Sequence, residues 1–228
     1  MTQRFAITEF IAEIRGWALA LPVGSRRIIA IAGAPGSGKS TLADEIVSVI
    51  EAEAPGIAAT LPMDGFHYDD EVLVPRGWRP RKGAPHTFDV GGFSALLARL
   101  RANSEDEIAV PRFDRDLEIA RGAARIVPKS ARLVVAEGNY LLLNEPPWTR
   151  LTDAFDRTVF LDVPIEELTR RLTERWEGYG LTGEDLREKM EGNDLPNART
   201  VVERSSAADI VVYPELRTQH AHEPPLSS

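Results

Sequence analysis

The chain has 228 residues, 43 % of them hydrophobic and 27 % charged, a balance that suits one folded domain and excludes a disordered chain. Its 27 Lys and Arg against 35 Asp and Glu leave a formal net charge of -8, which argues against a general nucleic-acid binder because such proteins need a basic footprint. Cys is absent, so there is no disulfide framework, no thiolate metal site and no cysteine nucleophile.

In chain order, Phe10, Ile11, Ile14, Trp17 and Leu21 recur at helical spacing and predict an amphipathic helix over about 5–21. Glu9, Glu13 and Arg15 interrupt this segment as no signal-peptide core would tolerate, and no later run is long and apolar enough to span a membrane. A cytoplasmic protein without membrane insertion is expected. Arg26 and Arg27 lead into Ile28–Ala32, a short and partly β-branched apolar run that reads as a strand buried on both faces. Gly33-Ala34-Pro35-Gly36-Ser37-Gly38-Lys39-Ser40 follows and fits the P-loop pattern G-x-x-x-x-G-K-S/T. Leu42, Ile46, Val49 and Ile50 then share one face of a helix.

Strand, glycine turn and helix in this order make a phosphate cradle. The glycines let successive N–H groups converge on a nucleotide's phosphates, with the positive end of the following helix behind them. Gly33, Pro35, Gly36, Ser37, Gly38, Lys39, Ser40 and Thr41 are therefore candidate nucleotide contacts. Lys39 is placed for the β- and γ-phosphates and the Ser40 hydroxyl for Mg²⁺.

Ile57–Leu61 reads as the second strand, ending at Met63-Asp64-Gly65-Phe66-His67. From Tyr68 to Asp89 the chain shows neither period, which predicts a long loop with one helical turn; such loops are usually functional. Its basic stretch from Arg76 to Gly83 either holds an anionic substrate or is simply solvated. A helix is predicted over Phe93–Leu100, a short strand over Ile108–Pro111, and a small excursion at Arg125–Val127. Leu133–Ala136 is the next buried strand, closing on Glu137-Gly138-Asn139-Tyr140, and Thr158–Val163 another. Helices are expected over Ile165–Trp176, over Thr182–Glu191 and from Pro196, then a last strand over Ala208–Val212 and a disordered tail from Arg217 to Ser228. Strands separated by helices mean an α/β doubly wound parallel sheet in a single domain over 1–228, with ligands at the carboxyl ends of the strands.

Asp64, Glu137 and the phosphate cradle each follow a predicted strand, so this fold brings them to one rim. Two acids beside a triphosphate site point to phosphoryl transfer, which needs Mg²⁺, cations around the moving group and a carboxylate that takes the acceptor's proton. Asp64 is the candidate base and Glu137 the candidate metal-side carboxylate, acting through a coordinated water. Taken singly, an Asp at a strand end such as Asp64 is more often a helix or turn cap.

The stretches Met63 to His67, Pro111-Arg112-Phe113-Asp114, Val135 to Tyr140 and Leu168-Thr169-Arg170-Arg171-Leu172 follow the P-loop in an order that resembles the uridine kinase / phosphoribulokinase / bacterial pantothenate kinase family. Asn193-Asp194-Leu195-Pro196-Asn197 matches the Asn-Asp-x-Pro-Asn stretch of the subgroup labelled "putative fructose transport system kinases", which the chain looks most like. The resemblance implies a P-loop kinase fold of about five core parallel strands, ATP and Mg²⁺ as cofactors, and transfer of the γ-phosphate to a hydroxyl of a small molecule. It places the base on Asp64, the metal-associated acid on Glu137, and a lid arginine at Arg171, with Arg175 toward the nucleotide. Helical spacing puts Arg171 and Arg175 on one face. On the substrate side it points to Arg79, Arg81, Arg112, Asp114, Asn139, Asp194 and Asn197, while His67 either contacts substrate or makes a structural hydrogen bond.

A sugar-type acceptor is the leading expectation, with fructose and sugar uptake as the named case; a nucleoside or pantothenate is the alternative. Glu118 and Ala120 stand where uridine kinases carry a nucleoside-contacting His and an Arg, which argues against a pyrimidine nucleoside. The lid is thin, since Gly178-Tyr179-Gly180 replaces further basic residues. A guanine-nucleotide switch is the rival of another class. It lacks an N-K-x-D signature, and its D-x-x-G match, Asp89-Val90-Gly91-Gly92, follows no apolar strand.

Overall fold

A computed structural model describes residues 2–214, so the expected tail lies outside the described residues. In chain order the elements are β1 (Gln3–Ala6), α1 (Ile7–Ala20), β2 (Arg27–Ala32), α2 (Lys39–Glu53), β3 (Ala58–Pro62), α3 (Asp70–Leu73) and α4 (Val90–Ala102). They continue with β4 (Glu107–Asp114), β5 (Ile119–Pro128), β6 (Leu133–Glu137), β7 (Arg157–Leu161), α5 (Ile165–Gly178), α6 (Gly183–Lys189), α7 (Leu195–Arg204) and β8 (Ile210–Tyr213).

Six strands form one parallel sheet in the order β1-β8-β7-β2-β6-β3. Every residue from Ile28 to Ala32 in β2 and from Leu133 to Glu137 in β6 is buried, so layers cover both faces at the centre. This is the doubly wound arrangement that continuous apolar runs predict. Five of the six strands are the expected ones.

The sixth, β1, corrects the predicted helix of about 5–21, which begins only at Ile7. Gln3–Ala6 pairs with Ile210–Tyr213 instead, and the Ala6 N–H donates to the Glu9 carboxylate at 3.2 Å where strand turns into helix. A second correction concerns residues 107–128. The short strand and the small excursion are the two arms of an antiparallel hairpin, β4 with β5, bulged between Val110 and Arg112. Tyr68 to Asp89 contains α3 and two 3-10 turns, and Asp89 accepts from Gly92 N–H at 2.8 Å as the cap of α4. The D-x-x-G match is thus a helix cap.

The ends of β3 and β6 approach closely. A Cβ on Gly138 would lie 2.4 Å from Cβ of Met63, the residue before Asp64, so glycine there lets the two acid-bearing strand ends meet. Gly138→Ala is expected to lower stability by about 1–3 kcal/mol, the usual cost of overpacking. Thermal unfolding checks it; an unchanged melting temperature would show that the strand ends separate freely.

Candidate active site

The loop between β2 and α2 turns through Gly38, whose φ of 97° is left-handed and open to glycine at little cost. No side chain caps α2, so the N–H groups of its first turn are left for an incoming anion. Pro35, Gly36, Gly38, Lys39, Ser40 and Thr41 line a cleft, while Gly33 and Ser37 are buried in the loop. Lys39 is 7 % exposed and its Nζ donates to the Ala34 carbonyl at 3.0 Å. Burial pushes the pKa of its ammonium down, against the opposing pull of Glu137 and Asp64.

Glu137 ends β6 and is 6 % exposed. Burial, then the charge of Asp64, raises its pKa, while Lys39 and a hydrogen bond from the Ser40 hydroxyl work the other way. A desolvated carboxylate beside a hydroxyl is a pair of hard oxygen donors short of positive charge, which suits Mg²⁺. Among the described residues no three His, Asp, Glu or Cys converge as a metal cage.

Asp64 stands on the 3-10 turn Met63–Phe66 after β3, its side chain 26 % exposed. Arg115 Nη2 donates to its Oδ2 at 3.0 Å. His67 lies partly buried between Phe88 and Phe113, with ring centroids 4.1 and 4.6 Å away. Its Nδ1 is 2.8 Å from the Asp64 carbonyl; a carbonyl only accepts, so Nδ1 carries a proton. Burial holds the His67 pKa below the ordinary value although Asp64 opposes this. Because the folded pKa is the lower one, the unfolded state takes up the proton first, and stability is lost as pH falls through about 6.5. The stability of wild type should therefore drop between pH 7.5 and 5.5 by more than that of His67→Phe, at no more than about 1.4 kcal/mol per pH unit. Urea unfolding across that range checks it, and parallel pH curves for the two proteins would remove His67 as the cause.

The cleft has two lobes, of about 310 Å³ along the phosphate loop and about 490 Å³ beside the hairpin, which share Ser40, Asp64, Phe113, Arg115 and Glu137. His67, Asn139, Arg175, Asp194 and Asn197 line the first lobe, and Arg112 and Asp114 the second. Three candidates are placed otherwise. Arg171 lines neither lobe; it donates to the Ser37 carbonyl at 3.0 Å and to Glu167 at 2.7 Å, bracing the loop from behind. Arg79 pairs with Asp70 at 2.6 Å, and Arg81 donates to the Gly192 carbonyl and to Asn197 Oδ1. The basic loop is thus largely satisfied within the chain.

The roles of several site residues were not legible in the sequence, although Lys82 lies in the basic stretch and Asn193 in the Asn-Asp-x-Pro-Asn match. Lys82 is 8 % exposed and bonded to Asp70 and the Glu118 carbonyl; Asn193 donates to the Lys82 carbonyl; Trp176 donates to Asp194 at 2.6 Å. These partners are distant in sequence, so no local pattern indicates the pairings. Arg115 directly follows the Pro-Arg-Phe-Asp stretch, yet nothing local indicates that it meets Asp64.

A glycine phosphate loop from a central parallel strand, with a lysine, a hydroxyl and two strand-end carboxylates gathered on one rim, is the site of a P-loop kinase. The chain belongs to the phosphoribulokinase / uridine kinase family, whose model matches residues 28–221. It is 36 % identical over 189 residues to the uncharacterized protein YggC of Escherichia coli, covering 82 % of this chain and 77 % of that one. A protein of Schizosaccharomyces pombe named a "putative uridine kinase" is 34 % identical over 199 residues, covering 84 % of each. The crystal structure of a "putative fructose transport system kinase" from Silicibacter sp. TM1040 superposes with a TM-score of 0.81 at 38 % identity, covering 91 % of this chain and 98 % of that one. The protein is thus an ATP-dependent phosphotransferase acting on a small-molecule acceptor.

Proposed function

We infer that the protein transfers the γ-phosphate of ATP to a hydroxyl of a sugar-type acceptor, fructose first among them. The observation that carries this reading is the wall formed by Asn193, Asp194 and Asn197. All three are buried, hydrogen-bonded to one another or to neighbours, and line the lobe that holds the phosphate loop. Fixed amides and a carboxylate offer both donors and acceptors, the recognition a polyhydroxylated ligand needs. The likeness to the "putative fructose transport system kinase" supports the same acceptor class.

In this reading Asp64 accepts the proton of the acceptor hydroxyl while that oxygen bonds to the γ-phosphorus and the bond to the β–γ bridging oxygen breaks, releasing ADP. Lys39 and the first-turn N–H groups of α2 stabilise charge on the phosphates. Ser40 and Glu137 are the residues that would hold Mg²⁺, which when bound would supply neutralising charge to the phosphates. Arg175 faces the same phosphates, and Arg171 keeps the loop in place behind them.

ADP release from Mg-ATP, followed by a coupled assay with hexoses, nucleosides and pantothenate in turn, tests the acceptor. Fructose or a related sugar is expected to accelerate release. Acceleration by uridine or pantothenate alone would shift the acceptor to those classes and leave the phosphotransfer chemistry standing.

A further inference from the structure

The Asp64 carboxylate already has a partner. Oδ2 accepts from Arg115 Nη2 at 3.0 Å, and Arg115 belongs to the turn between β4 and β5. That turn is pinned: Leu117 N–H and Arg121 each donate to Asp114 at 3.2 Å, and Lys82 Nζ donates to the Glu118 carbonyl. Its anchoring puts the guanidinium at the seam shared by the two lobes, against the oxygen assigned to proton transfer.

We propose that Arg115 is a positioning residue that occupies Asp64 until an acceptor arrives, so that ATP is transferred to the acceptor rather than hydrolysed. The proposal rests on Asp64 being the base. In hydrolysis, a water oxygen bonds to the γ-phosphorus, the bond to the β–γ bridging oxygen breaks with its electron pair leaving on ADP, and the water proton passes to Asp64 and on to solvent. A guanidinium on Oδ2 takes one of that oxygen's lone pairs and stands on the side from which a water would approach it. The pair is half-exposed, with side-chain accessibilities of 56 % and 26 %, and such pairs are weak enough for a multiply hydrogen-bonded ligand to displace. Once displaced, Arg115 still borders the phosphate-loop lobe and adds a cation there, where the lid offers few.

The test measures ADP release from Mg-ATP with no acceptor for wild type, Arg115→Ala, Arg115→Lys, Asp64→Asn and the Arg115→Ala/Asp64→Asn double variant. Arg115→Ala is expected to raise acceptor-free hydrolysis about 10-fold or more, a fraction of the ~10²–10⁴ that a positioned base contributes. Arg115→Lys, which keeps the charge without the fork, is expected in between, and the double variant at the Asp64→Asn rate. Circular dichroism and thermal unfolding establish that each variant is folded. Unchanged or lower hydrolysis in Arg115→Ala overturns the proposal, as does an increase that survives in the double variant. If Asp64→Asn leaves acceptor phosphorylation intact, the base assignment itself falls and takes the proposal with it. That failure is read from the transfer assay, so the two are told apart.

Discussion

Replacing Lys39 by Ala is expected to reduce kcat/KM for phosphoryl transfer about 1,000-fold, close to 4 kcal/mol of lost transition-state stabilisation. Lys39 is 7 % exposed and its ammonium is held by the Ala34 carbonyl within the phosphate loop. In such a water-poor place a fixed charge acts on the developing charge of the transition state far more strongly than it would in solvent. The fold should survive, because removing a desolvated ammonium also removes the cost of burying it. Steady-state kinetics with circular dichroism on the same preparation checks both parts. Activity above about a tenth of wild type would count against the phosphate-cradle reading.

Asp64→Asn is the second large effect, with kcat expected to fall ~10²–10⁴-fold while Mg-ATP still binds. The amide has nearly the carboxylate's shape, and its oxygen can still accept from Arg115, so the hairpin turn has no reason to move. What disappears is the ability to take a proton, which matters in the transition state and little in the binary nucleotide complex. A turn cap would be replaced by Asn almost without loss, so persistent turnover would return Asp64 to a structural role. A direct Mg²⁺ ligand would instead show as weakened Mg-dependent nucleotide binding in calorimetry, and Glu137 would become the better candidate for base.

The parts of the site that the sequence displays are those whose geometry is local. A left-handed turn at Gly38 and a lysine and a hydroxyl at the start of α2 are demands of one short stretch, and the residues that meet them stand next to one another. Asp64 and Glu137 could be placed because apolar runs end just before them and parallel strands share a rim. β1 gave no such sign. Gln3–Ala6 has one aromatic among polar and small residues, and only its pairing with β8 makes it a strand. The hairpin escaped for a related reason. It is exposed along much of its length, alternates between exposed and buried only over Glu107–Val110, and carries Glu118 and Ala123 at φ of 57° and 52°. The partners of Arg79, Arg81 and Arg115 lie on other elements, and a charge pattern alone does not tell a solvated cation from a partnered one.

The pairing of Gln3 with Ile210 has a consequence for synthesis. β1 leaves the ribosome well before β8 and must wait for it, which at about 5–20 residues per second is roughly 10–40 s. For that interval β1 and the strand beside which β8 will insert are both open edges, the feature through which nascent chains pair wrongly with one another. Closure of this fold is therefore a late and non-local event, and crowding on a polysome is the condition under which its yield should suffer first.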